Sequence, residues 1–134
     1  MTLRLLPALL LLGAAPLAAQ IPSDSVKISA DSAKGLAAKG KVLFEGKGLC
    51  VTCHGKDGEG LLGPTTRLTG DKGWIHMGGS LPELIALITS GVSDEDSKSG
   101  AMMPPKGGSR LTEAEVEQVA YYVQALHRRK ADDK

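Results

Sequence analysis

The stretch Cys50-Val51-Thr52-Cys53-His54 decides how the rest of this 134-residue chain is to be read. It holds both cysteines of the chain, with a histidine directly after the second. Two thiols at this spacing can each add to one vinyl group of a haem, forming two thioethers. The residue after the second thiol is then held beneath the iron, and an imidazole there ligates through one ring nitrogen. Two rival readings use the same residues. A Cys50–Cys53 disulfide or dithiol redox centre asks for a strand context, which the flanking sequence lacks. A structural zinc site needs two further ligands, and His76 and His127 are too far apart in sequence to form the usual pair.

Composition makes a large filler necessary. Large apolar side chains are scarce outside the first 19 residues, and the aromatics number four: Phe44, Trp74, Tyr121 and Tyr122. So small an apolar inventory leaves a domain marginal unless something else occupies the middle. The formal net charge is +1, and removal of Arg4 with a leader brings basic and acidic residues into balance. Such a chain has no basic excess to neutralise a phosphate backbone, so nucleic-acid binding is not expected. No apolar run approaches the ~20 residues of a membrane span.

Residues 1–19 have the layout of a secretory signal peptide: Arg4 near the amine, apolar Leu5 to Leu12 broken by Pro7, then Leu17-Ala18-Ala19 before Gln20. Cleavage near Gln20 would place the mature protein in the periplasm, an oxidising compartment. Retention as a short membrane tether is the alternative. No cysteine follows the apolar stretch to accept a lipid. Residues 20–29 read as a polar linker or tail, 30–130 as one domain, and 131–134 as a C-terminal tail.

Three helices are expected. The first spans about Asp31 to Lys47, where Gly35 and Gly40 each lower helix propensity by about 1 kcal/mol and ask for a close contact as their reason. The second runs from Ser80 to Ser90, opened by a Ser80/Glu83 capping box and stopped at Gly91. The third follows a Thr112/Glu115 capping box, with Val116, Val119, Ala120, Val123 and Leu126 on one apolar stripe. His127 to Lys130 sit at its negative end, where His127 reads as an exposed cation. Gly40 and Phe44 fit a crossing of the first and last helices. Fourteen of the 17 glycines fall between Gly46 and Gly108, and no strand alternation is evident there. Glycine lets backbone approach a large planar group closely.

With Gly40-x-x-x-Phe44 before the attachment motif and Met103-Pro104-Pro105 after it, the chain from about Ser32 to Leu126 resembles the class I c-type cytochromes. The resemblance implies an all-α cytochrome c fold, about three main helices with long Gly-rich loops around one covalently bound haem c. Cys50 and Cys53 would carry the thioethers and His54 the first iron ligand. The residues alone leave the second ligand open among Met77, Met102, Met103, His76 and His127. In the resembled family it is a methionine shortly before the last helix, often followed by proline, which selects Met103 over Met102. The resemblance also assigns the carbonyl of Pro64, in Gly63-Pro64, to the His54 N–H. It directs the Trp74 indole N–H to a haem propionate and makes Tyr122 rather than Tyr121 the interface aromatic. Arg67 reads as a surface charge.

Two protein ligands leave the iron no open position, and a methionine ligand raises its potential. The expectation is a single-electron carrier rather than an enzyme. Its partners would be redox proteins, donor and acceptor, among respiratory complexes or a periplasmic dehydrogenase or reductase. A haem peroxidase or ligand sensor with a dissociable methionine is the alternative, and a zinc-stabilised binding module a third reading.

Overall fold

The computed structural model describes residues 29–70, 74–98 and 100–132. The expected signal peptide (1–19), the polar segment up to residue 28 and the last two residues lie outside the described residues.

Among the described residues, four α-helices are present: α1 (Ala30–Glu45), α2 (Val51–His54), α3 (Leu81–Ser90) and α4 (Glu113–Asp132). Short 3-10 turns occur at Pro64–Thr66 and Pro105–Gly108. The three long helices are the three expected from the sequence, and α2 is the attachment motif itself. Among the described residues, extended pairing is limited to one bridge between Val92 and Met103.

The helix ends are set by local chemistry. The Ser29 hydroxyl accepts from the Ser32 N–H at 3.2 Å and opens α1. At α3, Ser80 and Glu83 bond each other's backbone N–H in a complete capping box, and Gly91 closes the helix. At α4, the Thr112 N–H donates to Glu115 Oε2 at 2.8 Å, and the Glu115 N–H donates to Thr112 Oγ1 at 3.3 Å. The stripe Val116, Val119, Ala120, Val123 and Leu126 is buried throughout.

Helices α1 and α4 cross at Gly40. A Cβ there would collide with the Gln118 carbonyl on α4, so glycine is what permits the approach. Next to the crossing, Phe44 and Tyr122 meet edge to face at 5.2 Å. Tyr122 is buried and Tyr121 partly exposed, as the resemblance implied. Gly35 has open space around it, so the close contact expected for it is absent.

The core joins Phe44, Cys50, Leu84, Ile88, Leu111 and the α4 stripe. Trp74, Met77 and Met103 pack against it from the loops while remaining half-buried. No helix of the described residues is long and apolar enough to cross a membrane.

Candidate functional site

An apolar cleft opens beside this core. It is lined chiefly by apolar side chains and opens to solvent. Cys50, Cys53, His54 and Met103 all line it, so the fold brings together four residues drawn from two distant stretches. Phe44 and Val119 contribute the floor from α1 and α4. The donor set of two thiols, one imidazole and one thioether, lining one apolar cleft, fits a covalently held haem.

The attachment segment is a single helical turn. Leu49 enters it at φ 58°, an uncommon backbone conformation for a branched side chain. The His54 N–H donates to the Cys50 carbonyl at 3.0 Å, fixing the two residues within the turn. The carbonyls left at its end are also used. Gly60 N–H donates to His54 O at 2.8 Å and Leu61 N–H to Cys53 O at 3.0 Å. Cys50 is buried and its thiol donates to the Gly48 carbonyl at 3.4 Å. Burial, reinforced by nearby Cys53, pushes this thiol up to about 11, against the opposing backbone hydrogen bond. In the haem-free chain it is therefore a neutral thiol at neutral pH.

His54 Nδ1 lies 2.6 Å from the Thr66 carbonyl oxygen. A carbonyl only accepts, so Nδ1 carries the proton and Nε2 keeps its lone pair. Burial holds the imidazole pKa below its usual value, against the pull of the Thr66 carbonyl. A neutral ring with a fixed tautomer is the form that binds a metal.

The acceptor is Thr66 and not Pro64, which corrects the expectation from Gly63-Pro64. The Pro64 carbonyl closes the 3-10 turn by accepting from Arg67 N–H at 3.4 Å. Thr66 ends that turn, leaving its carbonyl to face the ring. Its side chain is held in turn, Oγ1 donating to Gly63 O at 3.0 Å.

Trp74 lines the cleft, but its indole N–H donates to the Leu68 carbonyl at 3.2 Å. The indole N–H expected to face a propionate thus has an acceptor within the protein. His127 is half-buried and packs against Trp74 with the rings tilted by 57° and their centroids 4.3 Å apart, and its Nδ1 donates to the same Leu68 carbonyl at 3.4 Å. It is not the exposed helix-end residue expected, because its ring packs against Trp74 and α4 continues beyond it to Asp132. His76 and Met77 are wall residues of the cleft, and Arg67 is exposed, its Nε donating to Glu59 O at 3.2 Å.

The two methionines before α4 differ in setting. Met103 is half-buried against the core, whereas Met102 is 59% exposed. Met103 is pinned by its backbone: Val92 N–H donates to Met103 O at 2.8 Å, and Met103 N–H donates to Val92 O at 2.9 Å. Sequence reasoning did not anticipate this bridge, nor Thr66, nor the Leu68 carbonyl shared by Trp74 and His127.

Comparison with known proteins bears on this cleft directly. The sequence model for Cytochrome c matches residues 37–127, which include the attachment motif, the Met103 loop and most of α1 and α4. A curated relative, the cbb3-type cytochrome c oxidase subunit FixP of Azorhizobium caulinodans, is 32% identical over 111 residues. The aligned region covers 81% of this chain and 35% of FixP, so the chain spans about a third of that relative's length. No solved structure matches.

Proposed function

This chain belongs to the cytochrome c family, and from that premise we propose that it is an exported carrier whose haem iron is held by His54 and Met103. The family carries haem c covalently and moves electrons, and one domain takes one haem. Bound haem supplies a one-electron redox centre; the chain supplies its attachment, orientation and surroundings.

The observation that carries the reading is the convergence of Cys50, Cys53, His54 and Met103 on one apolar cleft. Cys50 and Cys53 provide the two thioether sulfurs. His54, neutral and oriented by the Thr66 carbonyl, offers Nε2 as the first ligand. Met103, tied at its backbone and followed by two prolines, offers its thioether as the second. Filled axial positions favour electron transfer over reactions that require a vacant one.

Leu62 and Met102 are exposed and border the cleft, so partners would meet a largely uncharged rim there. The likeness to FixP supports partners on the side of a respiratory oxidase. Export on residues 1–19 and release near Gln20 complete the reading.

Optical spectra of the purified protein, oxidised and reduced, test the ligand assignment. Met103→Ala is expected to change both spectra and to let ferrous protein bind carbon monoxide, while Met102→Ala leaves them unchanged. The reverse pattern would move the second ligand to Met102. Carbon monoxide binding to the unaltered protein at neutral pH would favour the ligand-sensor alternative. N-terminal sequencing of periplasmic material reads the cleavage point.

A further inference from the structure

Helix α3 ends against the loop that carries Met103, and the contact is closer than packing requires. Gly91 adopts φ 71° and ψ −165°, a region that is essentially restricted to glycine. A Cβ on Gly91 would also run into the Met103 carbonyl, and would stand 2.8 Å from Pro104 C and from Pro105 N. Conformation and space therefore each demand glycine here. One residue later, Val92 exchanges two hydrogen bonds with Met103, at 2.8 and 2.9 Å. Ahead of Met103, the Ser97 hydroxyl braces the loop, donating to Ala101 O at 3.0 Å and accepting from Ala101 N–H at 3.1 Å.

We propose that Gly91 and Val92 are positioning residues for the iron: they form a backbone seat just past the end of α3 that holds the Met103 thioether in the cleft. This rests on Met103 being the second ligand. The seat acts on Met103 through main-chain bonds. Its strength is thus independent of the Val92 side chain and highly sensitive to any side chain at position 91. A ligand competing for the iron must displace Met103 from this seat. Its apparent affinity falls by the factor by which the seated state is favoured.

Imidazole is the probe, titrated into the oxidised holoprotein and followed by absorbance. Gly91→Ala is expected to bind it about tenfold or more tightly than the unaltered protein, because the substitution strains the seat. Gly35→Ala, at a position with open space around it, is expected to match the unaltered protein. Met103→Ala checks the underlying assignment by losing the competition altogether and binding tightest. Should Met103→Ala bind as weakly as the unaltered protein, the ligand assignment falls and the seat with it. Should Met103→Ala bind tightly while folded Gly91→Ala matches the unaltered protein, the seat alone is refuted.

Amide hydrogen exchange on the unaltered protein decides the matter if Gly91→Ala does not fold. The Val92 and Met103 amides are expected to be protected, and saturating imidazole to abolish protection at both. Protection that survives imidazole would overturn the proposal.

Discussion

His54 takes its orientation and its tautomer from one backbone carbonyl, that of Thr66. Trp74 and His127 likewise converge on the carbonyl of Leu68. These acceptors explain why the residue scale was only half legible in the sequence. Cys50, Cys53 and His54 stand out by side-chain chemistry and spacing, whereas Met103 was singled out from other methionines and histidines only by the family resemblance. A carbonyl oxygen belongs to every residue, so nothing in the identity of Thr66 or Leu68 marks it as a partner. The Gly63-Pro64 pair pointed to the right loop and the wrong oxygen, since the turn it starts consumes the Pro64 carbonyl. Trp74→Phe is expected to remove one hydrogen bond and cost about 1 kcal/mol in a denaturant melt. Its reduction potential should stay near that of the unaltered protein, since the indole N–H is committed to Leu68; a large shift in potential would restore the propionate role.

At the scale of elements, the capping boxes were readable because their chemistry is local and confined to four consecutive residues. What tied them to distant parts was not. Glu115 caps α4 and also receives Lys47 Nζ at 2.6 Å, joining the attachment loop to the last helix. Its pKa lies below the usual value, chiefly through the Lys47 bond and then through the Thr112 N–H. A carboxyl depressed in the folded state stabilises fully above its unfolded pKa of about 4.3 and progressively less as pH falls through the folded one. Glu115→Gln should therefore flatten part of the acid limb of stability against pH, below about pH 4.3, and leave the slope near neutrality unchanged. An unaltered acid limb would contradict this. The two α1 glycines make a sharper contrast. Gly35→Ala should stabilise by up to about 1 kcal/mol, having nothing to strike. Gly40→Val should destabilise by about 3 kcal/mol or more, because backbone on α4 cannot yield as a side chain can. Thermal melts of the two variants, shifting in opposite directions, check both.

At the scale of the whole fold, the described residues form three long helices and a set of glycine-rich loops disposed around a cleft. Its helices were legible from capping boxes and apolar stripes, the composition called for one large filler, and the family resemblance implied the fold class. The loop path from His54 to Met103 was not legible, since glycine permits many routes and specifies none. With so few large side chains, the haem is expected to complete the core. The Cys50→Ala, Cys53→Ala double variant should accordingly show no cooperative thermal melt in circular dichroism, and a cooperative haem-free melt would show that the protein core suffices. The most direct measurement addresses the iron's surroundings. In reduced protein carrying isotope-labelled methionine methyls, a methyl seated over a porphyrin ring is displaced far from the rest by the ring current. One such signal is expected, absent from Met103→Leu and retained in Met102→Leu. No displaced signal, or one that survives in Met103→Leu, would contradict the account.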